Sequence, residues 1–205
     1  MSKPFLLATP LNELPEGWAT AVSDCSERFS TRYLLDGKSG TSCPEPGFVP
    51  SHVNVVTGDK IEQSLPWLFR LYETSMRRLA AEFFGRDLYV SIDRANAINI
   101  NALRGLGSAY ERHVDSNSVT GLLFCTTHSA NDGGALVFDS EAGAIAFCPQ
   151  AGLFLAFDAT ATPHYVTPLK QNIIRLSVPM NYYFSENNQK RPNDLDNYLY
   201  GTNEA

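Results

Sequence analysis

A change of period constrains this chain most. Between Ser64 and Gly85 apolar residues recur every three or four positions. From Leu88 onward they recur every second position, in short runs broken by Gly, Asp, Pro and Asn. In the first stretch Ser64 can cap, Pro66 sits in the first turn, and Leu68, Leu71, Ser75, Leu79 and Phe83 share one face before Gly85 stops the pattern. This predicts one long supporting helix over 61–85. The runs at 88–93, 97–102, 121–126, 135–139, 144–148, 153–158 and 173–178 predict strands. A helical layer followed by seven or eight short strands gives an α+β class, with the helix packed on the outside of a jelly roll.

Composition narrows the class further. With 205 residues, 43% of them hydrophobic, the chain can bury a sizeable core, and 1–205 is expected to form a single domain. Within it, 1–60 reads as an irregular N-terminal segment of short elements wrapped over the core, because Pro and Gly punctuate it. Residues 88–184 form the jelly-roll core. Residues 185–205 read as a loosely attached polar tail, apart from Tyr198, Leu199 and Tyr200, which are expected to dock. No apolar run approaches the roughly 20 residues that span a bilayer, and no signal-like segment opens the chain, so no membrane partner and a cytoplasmic location are expected. Four unpaired-looking cysteines fit reduced thiols. A net charge of −6 disfavours a phosphate backbone as partner, so no nucleic acid is expected.

The four histidines are informative by their company. His113 and Asp115 lie two apart, so in an extended segment both side chains point to one face. His164 follows a strand much later, with enough chain between for hairpins to return it beside His113. Two imidazoles and one carboxylate on a single face leave adjacent coordination positions open, as a non-haem Fe(II) site requires; a closed zinc site would need a fourth ligand. Beyond them Arg175 sits in an otherwise apolar strand, where an unpaired guanidinium is costly, so it needs an anionic partner. Ser177 shares its face, and together they can clamp a carboxylate.

At these residues the sequence resembles the Fe(II)- and 2-oxoglutarate-dependent oxygenases, in their prolyl-hydroxylase-like branch. The resemblance runs from about 98 to 183 through Tyr110, His113-x-Asp115, Gly133-Gly134-x-Leu136, Gly152-x-Phe154-x-x-Phe157, His164-x-Val166-x-Pro168 and Arg175-x-Ser177. It implies a double-stranded β-helix, with His113, Asp115 and His164 as iron ligands. It also implies that Arg175 and Ser177 hold the distal carboxylate of 2-oxoglutarate, with Tyr110 or Asn101 adding a hydrogen bond. The implied cofactors are Fe(II), 2-oxoglutarate as co-substrate and O2.

The expected activity is therefore a dioxygenase reaction at a C–H bond, hydroxylation first, releasing succinate and CO2. Relatives that halogenate carry a small residue in place of the carboxylate, so Asp115 favours hydroxylation, desaturation or ring formation. The expected substrate is a small molecule such as an amino acid or natural-product intermediate. The alternatives are a protein or peptide prolyl hydroxylase and a non-catalytic cupin-like metal- or ligand-binding module. Arg94, Asn99, Asn101, Arg104 and Arg112 lie before or beside the metal motif; a basic or amide group there could bind a substrate carboxylate, the alternative for each being a surface or loop hydrogen bond.

Overall fold

The computed structural model describes residues 5–140, 143–189, 191, 192 and 195. Among these residues two antiparallel sheets face one another as a jelly roll. The larger has the order β1 (Leu6–Pro10), β10 (Leu153–Asp158), β7 (Val119–Phe124), β12 (Ile174–Tyr183), β5 (Ile100–Arg104), β3 (Ser51–Val56) and β2 (Thr31–Leu35). The two-residue strand β4 (Tyr89–Val90) joins it on β12. The smaller has the order β6 (Tyr110–His113), β11 (His164–Val166), β8 (Leu136–Ser140) and β9 (Gly143–Phe147). The α+β class and the outer helical layer agree with the sequence reading.

The large sheet is covered on both sides, and this explains its composition. Along β7 every residue is buried: Val119 and Leu123 pack toward the helices, while Leu122 and Phe124 pack toward the small sheet. In β10, Phe154 and Ala156 take the first side and Leu155 and Phe157 the second. A strand buried on both faces reads as a continuous apolar run rather than a clean alternation.

The helices differ from expectation at both ends of the predicted stretch. Ser64 closes a short helix, α2 (Gly58–Ser64), and Leu65 precedes α3 (Pro66–Leu71), with Pro66 in its first turn. A π-helical turn, Tyr72–Met76, then leads into α4 (Arg77–Phe84), which Gly85 ends at φ 62°. The buried face is Leu68, Phe69, Tyr72, Met76 and Ala80, a spacing that a turn wider than the α-helical one brings into line. Residues 5–60 are not irregular. They hold β1, a twelve-residue helix α1 (Trp18–Phe29), β2 and β3, and these strands extend the large sheet at its two edges. The Pro and Gly residues that suggested otherwise fall mostly between elements, as with Gly37, Gly40, Pro44 and Gly47 between β2 and β3.

The described part of the C-terminal segment is tied down. Gln189 accepts from Ile92 N (2.8 Å) and donates to Val90 O (2.9 Å), and the Arg86 guanidinium lies 3.9 Å from the Phe184 ring centre. Tyr198, Leu199 and Tyr200 lie outside the described residues. Among the described residues no helix is long and apolar enough to cross a membrane.

Candidate metal centre

The two histidines meet because β6 and β11 pair antiparallel with His113 directly opposite His164, and their ring centres lie 4.3 Å apart. Asp115 follows β6 by two residues, and its backbone N donates to Ala159 O (3.0 Å), which holds the chain extended past the strand end. Its carboxylate lies 3.4 Å from His113 Nε2 through Oδ1 and 3.7 Å from His164 Nε2 through Oδ2. One donor atom from each of the three residues falls within 4.8 Å of the others, a convergence of His113, Asp115 and His164 of the kind that holds an ion. Adjacent ligands on an ion with bonds of about 2.1 Å stand roughly 3 Å apart, so a small inward movement would complete the cage.

The local chemistry prepares these atoms for a metal. Each histidine uses Nδ1 on the carbonyl two residues before it: His113 on Glu111 O (2.7 Å) and His164 on Thr162 O (2.9 Å). A carbonyl only accepts, so Nδ1 carries the proton and the Nε2 lone pair is left facing the carboxylate. Burial alone would raise the Asp115 carboxyl, but His164, His113 and the Thr120 hydroxyl hold it well below the usual carboxylate range. Burial, reinforced by His113, pushes His164 down to about 4, so it is neutral. For His113 burial acts downward too, but Asp115 outweighs it and the net shift is upward. An ionised carboxylate and imidazole nitrogens with free lone pairs are the donor set of a divalent transition-metal site.

The same cavity contains Arg175, which is 2% exposed. Its Nε donates to Gly134 O (2.8 Å) and its Nη1 to Ser177 Oγ (2.9 Å), while its Nη2 is buried without a partner. Burial lowers its pKa to about 10, and among the described residues no carboxylate pairs with it. Gly134 makes this seat possible. At φ 73° its backbone is left-handed, and a Cβ there would lie 2.8 Å from Leu169 Cδ2 and 3.2 Å from Arg175 Cδ. Asn101 stands across the sheet from Ser177, and its Oδ1 is also buried without a partner. Tyr110 lines the cavity with its ring centre 4.9 Å from that of His113.

The structure thus gathers all seven sequence-derived residues, His113, Asp115, His164, Arg175, Ser177, Tyr110 and Asn101, around one cavity. Of the five residues named for substrate contact, Asn99 and Asn101 line it. The three arginines do not: Arg94 pairs with Glu73 and Glu62, Arg104 with Glu27, and Arg112 with Asp139 and Glu45, all away from the cavity. Sequence reasoning missed Glu111, Ser116, Asn117, Thr120, Asn181 and Arg191, which also line it. Only Glu111 carried a signal, since it continues the period of two through His113 and Asp115.

The jelly roll that carries this cavity has counterparts among solved structures. No protein-family model matches the sequence. No curated protein matches it either. Among solved structures, the chain is similar to an oxidoreductase of the 2OG-Fe(II) oxygenase family from Burkholderia pseudomallei, at 15% identity over 91% of this chain and 89% of that one, with a TM-score of 0.66. It is similar to a prolyl hydroxylase from Trichoplax adhaerens, in complex with a hypoxia inducible factor peptide fragment, at 16% identity over 87% and 83%, with a TM-score of 0.64. It is also similar to SnoN, the non-haem alpha-ketoglutarate-dependent epimerase of nogalamycin biosynthesis, at 14% identity over 88% and 78%, with a TM-score of 0.64. The chain has the fold of the 2-oxoglutarate- and Fe(II)-dependent oxygenases.

Proposed function

We propose that the protein is an Fe(II)- and 2-oxoglutarate-dependent dioxygenase that hydroxylates a C–H bond of a small molecule. The observation that carries this reading is Arg175. A buried guanidinium with one unpartnered nitrogen and no carboxylate partner among the described residues, in the cavity that holds the triad, fits an anionic ligand. His113, Asp115 and His164 would hold iron. Arg175 and Ser177 would hold the distal carboxylate of 2-oxoglutarate, with Asn101 and Tyr110 beside it. When bound, iron with 2-oxoglutarate and O2 supplies an oxidant able to take hydrogen from an unactivated C–H bond, releasing succinate and CO2.

The order of residues along the cavity supports a polarity. On β12 the cavity-facing positions run Arg175, Ser177, Pro179, Asn181, and Asn181 stands opposite Thr120, which hydrogen-bonds Asp115. Co-substrate therefore belongs at the Arg175 end, the metal at the centre, and substrate beyond Asp115. That far end is lined by Asn99, Ser116 and Asn181, and the Ser116 hydroxyl, buried without a partner, with the neighbouring amides suits a small, hydrogen-bonding substrate. Phe157, Leu122 and Val166 line the middle and exclude water from the reacting centre. A cupin-like binding module gives Arg175 no role. The peptide held by the Trichoplax adhaerens protein makes peptides the second class to assay.

Calorimetric titration of 2-oxoglutarate into the Mn(II)-loaded protein tests the reading. Arg175→Ala is expected to weaken binding by about 10- to 100-fold, the loss of one or two hydrogen bonds to a charge; unchanged affinity would remove the clamp. Turnover assays with amino acids and with prolyl peptides should then give succinate and a product heavier by one oxygen with the former. Turnover with the peptides alone would replace the small-molecule reading.

A further inference from the structure

Thr120 is the one side-chain polar group facing the interior of β7, an otherwise apolar strand at the middle of the large sheet, and it is 3% exposed. A hydroxyl there costs stability unless it is satisfied, and a valine would fill nearly the same shape. Its Oγ1 lies 2.5 Å from Asp115 Oδ2 and 2.8 Å from Asn117 Nδ2. The ionised carboxylate can only accept and the amide nitrogen can only donate, so the direction of both bonds is fixed. Asn117 donates to Thr120, and the single hydroxyl proton is turned onto Asp115. Asn117, 2% exposed, is itself anchored through the same nitrogen to Val119 O (2.8 Å).

We infer that Thr120, oriented by Asn117, is a positioning residue that holds Asp115 as a one-oxygen metal ligand. This rests on the metal-centre reading above and concerns what the chain does to its own ligand. Asp115 lies past the end of β6, so the strand ladder fixes its backbone less firmly than that of His113. The Thr120 bond occupies Oδ2 and leaves Oδ1 turned to the His113 side, 3.4 Å from Nε2. A carboxylate free to turn could bring both oxygens to the ion and fill a position that a bidentate co-substrate and O2 need, or swing away and weaken the site. The donor set and the number of open positions therefore depend on one hydroxyl proton.

Co(II) binding, followed by calorimetry and by the visible spectrum of the bound ion, tests this without turnover or 2-oxoglutarate. Thr120→Val is expected to weaken Co(II) binding by about 10- to 100-fold, the usual consequence of removing a ligand's outer partner, and to change the spectrum as the carboxylate rearranges. Thr120→Ser, which keeps the proton donor and loses only a methyl group, should restore both. Asn117→Ala should shift affinity in the same direction by a smaller factor, and it supplies the test if Thr120→Val does not fold. Wild-type affinity and spectrum in Thr120→Val and Asn117→Ala, or a folded Thr120→Ser as weak as Thr120→Val, would overturn the inference. Failure of the wild-type protein to bind Co(II) would overturn the metal centre itself, and the positioning role with it.

Discussion

Arg175 shows how a residue can be kept at the expense of the fold. Its guanidinium is stripped of water, its Nη2 is unpartnered, and burial lowers its pKa to about 10. An apolar side chain of similar length avoids that desolvation. Arg175→Met is therefore expected to leave the ligand-free protein as stable as the wild type, or up to about 2 kcal/mol more stable, in urea unfolding, while 2-oxoglutarate affinity falls at least tenfold. Loss of stability with affinity retained would contradict this. Asp115→Gly removes one of the three converging side chains proposed as iron ligands, so the proposed hydroxylation should disappear; full activity in that variant would sink the ligand assignment. At this scale the sequence was legible. His113-x-Asp115, His164 and Arg175-x-Ser177 are few, chemically expensive residues in extended segments, and period-two geometry alone puts the paired members on one face. Thr120 and Asn117 were not legible, because a single Thr in an apolar strand and an Asn in a loop gain meaning only when folding brings Asp115 within 2.5 Å.

Elements were read less well where tertiary context overrides a local rule. Pro179 ended the predicted strand at 178, yet β12 runs on to Tyr183. Its missing N–H falls on the side facing Asn99, just before β5 begins; Pro179 O still accepts from Asn99 N (3.0 Å), so only one bond of that pair is lost, at the end of the β5 ladder where it is tolerated. The π-helical turn was equally invisible, since Leu71, Ser75 and Leu79 make an adequate α-helical face on paper. The turn instead buries Tyr72, whose hydroxyl accepts from Ser91 N (2.8 Å) and donates to Asn181 O (3.0 Å), tying the helix to the C-terminal half of β12. Its ring stacks on Tyr182 at 5.1 Å between centres. Tyr72→Phe strands a buried N–H and is expected to cost about 1–3 kcal/mol in urea unfolding. A loss below about 0.5 kcal/mol would show that water replaces the hydroxyl and that the tie is dispensable.

For the whole molecule, the two cores divide the labour. One packs the helices on the outer face of the large sheet and supplies most of the burial. The other lies between the sheets and is interrupted by the polar cavity. Ligands bridging the two sheets should therefore stabilise the fold as a unit, because His113 and His164 come from the small sheet and Arg175 and Ser177 from the large one. Mn(II) at a hundred times its Kd adds about 2.7 kcal/mol, which for a chain of this size raises Tm by about 5–10 °C. Chelation should reverse the shift, and Asp115→Ala should not show it. The jelly roll itself was predictable from the number and spacing of the strands, whereas α1, the edge strands β1 and β2, and β3 beside β2 were hidden by Pro- and Gly-rich connections. The central claim, that one cavity binds iron and 2-oxoglutarate together, is tested most directly by anaerobic visible spectroscopy of the metal-free protein titrated with Fe(II) and then 2-oxoglutarate. A weak charge-transfer band that appears only with both, and that needs far more 2-oxoglutarate in Arg175→Ala, is the predicted result. A folded protein that binds Fe(II) yet gives no band would contradict it.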